Sequence, residues 1–174
     1  MRRRTLVLVL AVLSAGLLVT SLAGAGDGKK KLKSDELSGY QENPDVSSTG
    51  TGSFEATIDD DAQTITYELS YSALEGGDAL FAHIHFAKRA VNGGVAAFLC
   101  GGGDKPACPA TEGTVTGVID AADIVGPAGQ GIEAGSFAEL VAAMRAGHTY
   151  VNVHSPRWPG GEIRAQINDR DANN

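Results

Sequence analysis

Three of the four histidines in this 174-residue chain lie in segments where strand geometry puts polar residues on one face. In Leu80-Phe81-Ala82-His83-Ile84-His85-Phe86, alternation sends Leu80, Ala82, Ile84 and Phe86 to one side and His83 and His85 to the other. In Tyr150-Val151-Asn152-Val153-His154, the valines take the apolar side and Tyr150, Asn152 and His154 face outward. Glu162-Ile163-Arg164-Ala165-Gln166-Ile167 repeats the parity, with Glu162, Arg164 and Gln166 outward. Three imidazoles so arranged suit copper or zinc, His83 and His85 from one strand and His154 closing the site from another. Neutral imidazole is a ligand near neutral pH, and a carboxylate such as Glu162 is placed to orient a ring from behind.

The same residues have a plainer reading. A His-x-His on a polar strand face also serves cross-strand hydrogen bonding, and Glu162 and Arg164 can simply pair with neighbours. Asn152, Glu162 and Arg164 therefore define a candidate binding patch, and His83, His85 and His154 a candidate metal site that requires their strands to adjoin. His148 reads as a helix-end or loop residue and Trp158 as a cover for the core edge. No serine or cysteine sits in a convincing triad. Gly101-Gly102-Gly103 lacks the Lys and Ser/Thr of a phosphate loop, so hydrolase and nucleotide-binding classes are poorly supported and no catalytic residue is assigned.

The elements that must carry these residues are mostly short strands. Residues 52–58 and 64–71 alternate apolar and polar types around the turn Asp59-Asp60-Asp61-Ala62-Gln63, which predicts a hairpin. The acidic triplet lacks the ligand spacing of a calcium loop. Further strands are predicted at 80–86, 95–100, 114–119, 149–154 and 162–167, the last two forming a hairpin through 155–161. Ser136-Phe137-Ala138-Glu139 reads as a capping box opening one connecting helix, which Gly147 stops after Arg145 has met its C-terminal dipole. About seven strands with regular turns predict an all-β, antiparallel β-sandwich with one short connecting helix.

The N-terminus indicates where such a domain works. Arg2, Arg3 and Arg4, an apolar run from Leu6 to Leu18, and Ala23-Gly24-Ala25 follow the order of a cleavable signal peptide, expected to end at residue 25. Residues 26–35 read as a flexible lead, 36–167 as the domain and 168–174 as a polar tail. Secretion, or residence in the cell envelope or periplasm, is expected, with no membrane span after cleavage. Cleavage leaves 11 basic against 21 acidic residues, a formal charge of −10. That balance disfavours nucleic acid and anionic lipid and favours a cation or cationic partner. In an oxidising compartment Cys100 and Cys108 are expected to form a disulfide across a glycine-rich loop, worth about 2.5 kcal/mol by loop closure; a pair of soft metal ligands is the alternative.

Read together, Leu37-Ser38-Gly39-Tyr40-Gln41-Glu42-Asn43-Pro44, Ala82-His83-Ile84-His85, Gly147-His148-Thr149-Tyr150-Val151-Asn152-Val153-His154 and Pro159-Gly160-Gly161-Glu162-Ile163-Arg164-Ala165-Gln166 resemble the chordin-domain (CHRD) family over about residues 36–167. The resemblance implies an all-β extracellular domain of the kind found in secreted growth-factor antagonists and in exported microbial proteins, with an extracellular protein ligand as the expected partner. It brings no catalytic residues. A weaker similarity is to copper/zinc superoxide dismutases, which place an H-x-H on an immunoglobulin-like sandwich strand. His83, His85, His154 and Arg164 would be the counterparts, but residues 87–110 hold no bridging histidine and no zinc-loop cluster. The favoured function is a non-catalytic binding or cell-envelope interaction module; the alternative is a mononuclear copper- or zinc-binding protein, with a redox role open to it.

Overall fold

The computed structural model describes residues 28–168. The signal peptide expected at 1–25 lies outside the described residues, as does the tail from 169 onward. Among the described residues nine strands are found: β1 (Lys29–Ser34), β2 (Leu37–Ser38), β3 (Thr51–Asp59), β4 (Thr64–Ser72), β5 (Phe81–Phe86), β6 (Gly94–Cys100), β7 (Gly113–Ile119), β8 (Thr149–His154) and β9 (Ile163–Asn168). A helix, α1 (Phe137–Arg145), joins β7 to β8. The strands hydrogen-bond in the order β6-β5-β8-β9-β1-β3-β4-β7, with β2 bridging β3 and β9, and the pairs are antiparallel. This continuous sheet folds over so that its two halves face each other across one apolar core, the predicted all-β sandwich. The Tyr67 hydroxyl on β4 crosses that core to donate to the Leu99 carbonyl on β6 at 2.7 Å.

The β3–β4 hairpin forms around the predicted acidic turn, where Ala62 N–H donates to Asp59 Oδ1 at 2.9 Å and Gln63 takes a left-handed φ of 52°. Inward residues of the two halves, including Phe54, Ile58, Ile65 and Leu69 from one and Ile84, Leu99, Val151, Ile163 and Ile167 from the other, meet in a single buried cluster. Each such fully buried Leu, Ile or Phe stabilises the fold by about 1.5–3 kcal/mol.

The structure corrects three expectations. The segment read as a flexible lead is largely β1: Leu32 is buried between exposed lysines, and the strand pairs with β3 from Lys29↔Asp59 to Lys33↔Glu55 and touches β9 at its end. Charged composition hid a period-2 pattern whose one apolar residue is enough when both neighbours supply a ladder. Helix α1 is core rather than mere connector, because Phe137, Leu140, Val141, Ala143 and Met144 are buried, and Ser136 makes no side-chain cap bond, so the predicted capping box does not form. Gly147 does end the helix, at φ +69°.

The third correction bears directly on the site. The polar face of β5, β8 and β9 is not open to solvent: His83, His85, Asn152, His154, Glu162, Arg164 and Gln166 are all buried. Loops near residues 39–50, 87–93 and 155–161 fold over it, tied down by Arg164 to Val91 and Asn92, Gln166 to Ala87, and Asn92 to Asn43. Strand parity sets which face a side chain joins; whether that face is wet depends on loops distant in sequence. Among the described residues no helix is long and apolar enough to cross a membrane.

Candidate metal centre

Strand pairing brings the three histidines together. β5 runs antiparallel to β8 with Phe81↔His154, His83↔Asn152 and His85↔Tyr150, so His83 and His154 are diagonal neighbours on one face and His85 lies one pleat further. One ligand nitrogen from each of His83, His85 and His154 lies within 4.8 Å of the other two. Any three points so spaced lie within 4.8/√3, about 2.8 Å, of a common point, against metal–nitrogen bonds of about 2.0–2.1 Å. Closing on an ion thus requires an inward movement of less than about 1 Å per ring.

Two backbone carbonyls lie against ring nitrogens of the cluster. His85 Nδ1 lies 3.0 Å from Gly93 O, and His154 Nδ1 lies 3.0 Å from Pro159 O. A carbonyl only accepts, so His85 Nδ1 carries the proton and Nε2 of that neutral ring carries the lone pair. His154 meets an acceptor at each ring nitrogen, Pro159 O at Nδ1 and the Asn152 side-chain oxygen 2.9 Å from Nε2, so the one proton of the neutral ring serves only one of them; Nε2 also lies 3.1 Å from His83 Nδ1. His85 Nε2 is buried and, with the Asn152 side chain nearby, completes no hydrogen bond among the described residues. A buried lone pair with nothing to accept from is costly in a folded protein, and a cation at the common point would satisfy it.

The rings are kept neutral. Burial, reinforced by the neighbouring histidines, lowers His83 to about 3. Burial likewise lowers His85 to about 4, against a rise from its Gly93 bond, and holds His154 below the usual imidazole range. Aromatic rings wall the cluster: Phe81 packs on His83 and His154 with centroids 5.3 Å away in each case, and Phe98 meets His83 edge-on at 4.6 Å. Tyr150 stacks on His85 at 4.7 Å with the rings 2° from parallel, and the Arg164 guanidinium lies over the Tyr150 ring at 3.3 Å. Arg164 also donates to Val91 O at 2.8 Å and Asn92 Oδ1 at 3.2 Å.

The residues of the predicted binding patch therefore separate. Asn152 touches the histidines directly, and Arg164 reaches them only through Tyr150. Glu162 does neither. Its carboxylate accepts from Ser48 Oγ at 2.6 Å, Glu75 N–H at 2.6 Å and Gly76 N–H at 3.1 Å, clasping two loops to the start of β9. A Cβ on Gly76 would collide with Ser155 Oγ and Glu162 Oε2, which is why the chain there must be glycine. The orienting role imagined for Glu162 is filled instead by the carbonyls of Gly93 and Pro159.

Glu42 was not singled out as a site residue, yet it is the carboxyl nearest to this arrangement in character: buried, with Oε1 unbonded, beside Asn152 and Arg164. Burial pushes it up to about 7 despite the downward pull of Arg164 and Asn152. The signal for it was its place in the Tyr40-Gln41-Glu42-Asn43-Pro44 run, whose spacing alone says nothing of a site. Gly161, at φ +130°, gives this carboxyl room: a Cβ there would strike Glu42 Oε1 and Asn152 Nδ2. His148 is exposed beyond α1 and outside the cluster, and Trp158 packs with Arg157, whose guanidinium lies 4.6 Å from the ring.

Cys100 and Cys108 form the expected disulfide, with Cα atoms 5.0 Å apart. The bridged loop carries Gly102 against the Phe98 ring that faces His83. Comparison with curated proteins and with solved structures finds no match. Comparison with protein families finds the CHRD domain, matched over residues 34–167, a span that runs from the end of β1 to β9 and includes the three histidines, Asn152, Glu42 and the disulfide. The chain belongs to the CHRD domain family.

Proposed function

We propose that this protein is an exported CHRD-domain module that binds a single copper or zinc ion through His83, His85 and His154. The observation that carries the reading is the unpartnered, buried Nε2 of His85 lying in a set of three imidazole nitrogens no more than 4.8 Å apart. Donor chemistry agrees: imidazole nitrogens suit copper and zinc, the rings are neutral, and the Gly93 carbonyl holds the His85 proton on Nδ1, leaving its Nε2 lone pair free for an ion. The His residues would hold the ion, Asn152 would lie at its edge, and the Tyr150–Arg164 stack would brace His85 from behind. The role is binding; no residue is assigned to catalysis. Export is supported by the N-terminal pattern and by the disulfide, which persists in oxidising compartments.

The test is metal analysis of protein purified without chelators and then equilibrated with copper or zinc. One ion per chain is expected, with loss of that ion in a His83→Ala/His154→Ala variant that retains the native strand spectrum. A wild-type protein that takes up neither metal overturns the reading. N-terminal sequencing of the secreted product checks export, the expected start being near Gly26.

A further inference from the structure

The charge around the histidine cluster selects among ions. Its ligand set is three imidazoles, with no carboxylate or thiolate among them. Both cysteines are consumed by their bridge. Of the described acidic side chains, two are buried, Glu42 and Glu162. Glu162 is saturated by Ser48, Glu75 and Gly76 and makes no bond to a histidine. Glu42 lies beside Arg164, and burial favours its neutral form. On the opposite balance stands Arg164 itself, buried, packed on the same Tyr150 ring that stacks on His85, and close enough for its charge to be felt there. The remaining walls are the rings of Phe81 and Phe98.

An ion entering this site leaves water for neutral ligands, aromatic faces and a nearby fixed cation. The solvation cost of burying an ion rises with the square of its charge, so a divalent ion meets a far larger penalty here than a univalent one. Zinc ordinarily offsets that penalty with thiolate, carboxylate or a bound hydroxide completing a tetrahedron. Univalent copper accepts three neutral imidazoles and leaves one net charge to be buried where zinc with the same ligands leaves two. Resting on the metal reading above, we propose that the His83–His85–His154 centre selects univalent copper over divalent zinc.

The experiment is a pair of competition titrations on the purified protein. Copper is held univalent anaerobically with ascorbate and competed by bicinchoninate; zinc is competed by a chromophoric chelator. Thiol reductants are left out because they would open the Cys100–Cys108 bridge. One univalent copper per chain is expected, held at least about 100-fold more tightly than zinc. Zinc bound as tightly as copper, or more so, overturns the selectivity and leaves the metal centre standing; uptake of neither metal overturns both. Asn152→Asp places a carboxylate where an amide oxygen now lies 2.9 Å from His154 Nε2, and is expected to narrow the preference at least about tenfold by strengthening zinc. An unchanged ratio in a folded Asn152→Asp protein counts against selection by charge. If that variant does not fold, the wild-type ratio decides alone.

Discussion

His83 Nδ1 lies 3.1 Å from His154 Nε2, although the two residues are 71 positions apart in the chain. The contact follows from the β5–β8 register, in which His83 stands opposite Asn152 and Phe81 opposite His154. A one-residue slip of β5 would turn His83 and His85 toward the apolar core and leave His154 on the other face, so the register that buries Ile84, Val151 and Val153 is also the register that assembles the site.

Metal binding at this point should stabilise the fold. An ion at 100 times its dissociation constant contributes about 2.7 kcal/mol, which in a domain of this size raises Tm by roughly 5–10 °C. Thermal melts with and without copper or zinc check this. The shift should vanish in His83→Ala/His154→Ala and reverse on adding a chelator; a variant that keeps the full shift would show that the ion sits elsewhere.

Acid should weaken the metal-free protein through the same rings. His83 and His85 drop from 6.5 to about 3 and about 4 on folding, so above pH 6.5 neither the folded nor the unfolded chain holds these protons and the stability is fully present. As pH falls from 6.5 toward 4 and 3, the unfolded chain takes up protons that the folded one resists, and stability declines. Glu42 acts in the opposite sense: its rise from 4.5 to about 7 means that the folded chain keeps a proton the unfolded one loses, so its share declines as pH rises through that window. Urea melts at pH 5 and pH 8 should show Glu42→Gln gaining about 1–2 kcal/mol more at pH 8 than at pH 5. An equal change at both would place Glu42 in a solvated, ordinary setting.

Glu162 should prove structural. Glu162→Ala strands the buried N–H of Gly76 and the part-buried N–H of Glu75 and hydroxyl of Ser48, at a cost of about 2–4 kcal/mol. Metal affinity of the folded fraction should stay within about twofold of wild type. Chemical denaturation and metal titration on the same variant separate the two effects, and a selective loss of metal would return Glu162 to the site.

The disulfide should be complete and modestly stabilising. The unreduced protein is expected to show no free thiol, and Cys100→Ser/Cys108→Ser to lose about 2.5 kcal/mol by loop closure. A thiol count of two in native protein would contradict the bridge. Because the bridged loop packs on Phe98, the double variant should also loosen the Phe98–His83 contact, readable as a weaker metal-induced Tm shift.

Much of the site was legible before any coordinates. Alternation in β5 and β8 assigned His83, His85 and His154 to a polar face, and β8 runs over the predicted residues Thr149–His154. Such parity is local, set by two backbone bonds per step, and survives whatever the rest of the chain does. The turn after Asp59, the stop at Gly147 and the Cys100–Cys108 pairing are local in the same way, each depending on a few neighbouring residues.

What lay beyond local pattern needed the whole fold. Lys29–Ser34 is a strand because β3 and β9 lend it hydrogen-bond partners, and no feature of six mostly charged residues announces those partners. Glu162 and Arg164 share a face in sequence, yet one clasps loops at residues 48 and 75–76 while the other stacks on Tyr150, because long side chains on one strand reach different neighbours. Parity along β5 and β8 identified the three histidines; loops closing from residues 39–50, 87–93 and 155–161 made them a dry centre. Burial is a property of the assembled surface, and only that burial strips the rings of protons and leaves the lone pair of His85 without a partner.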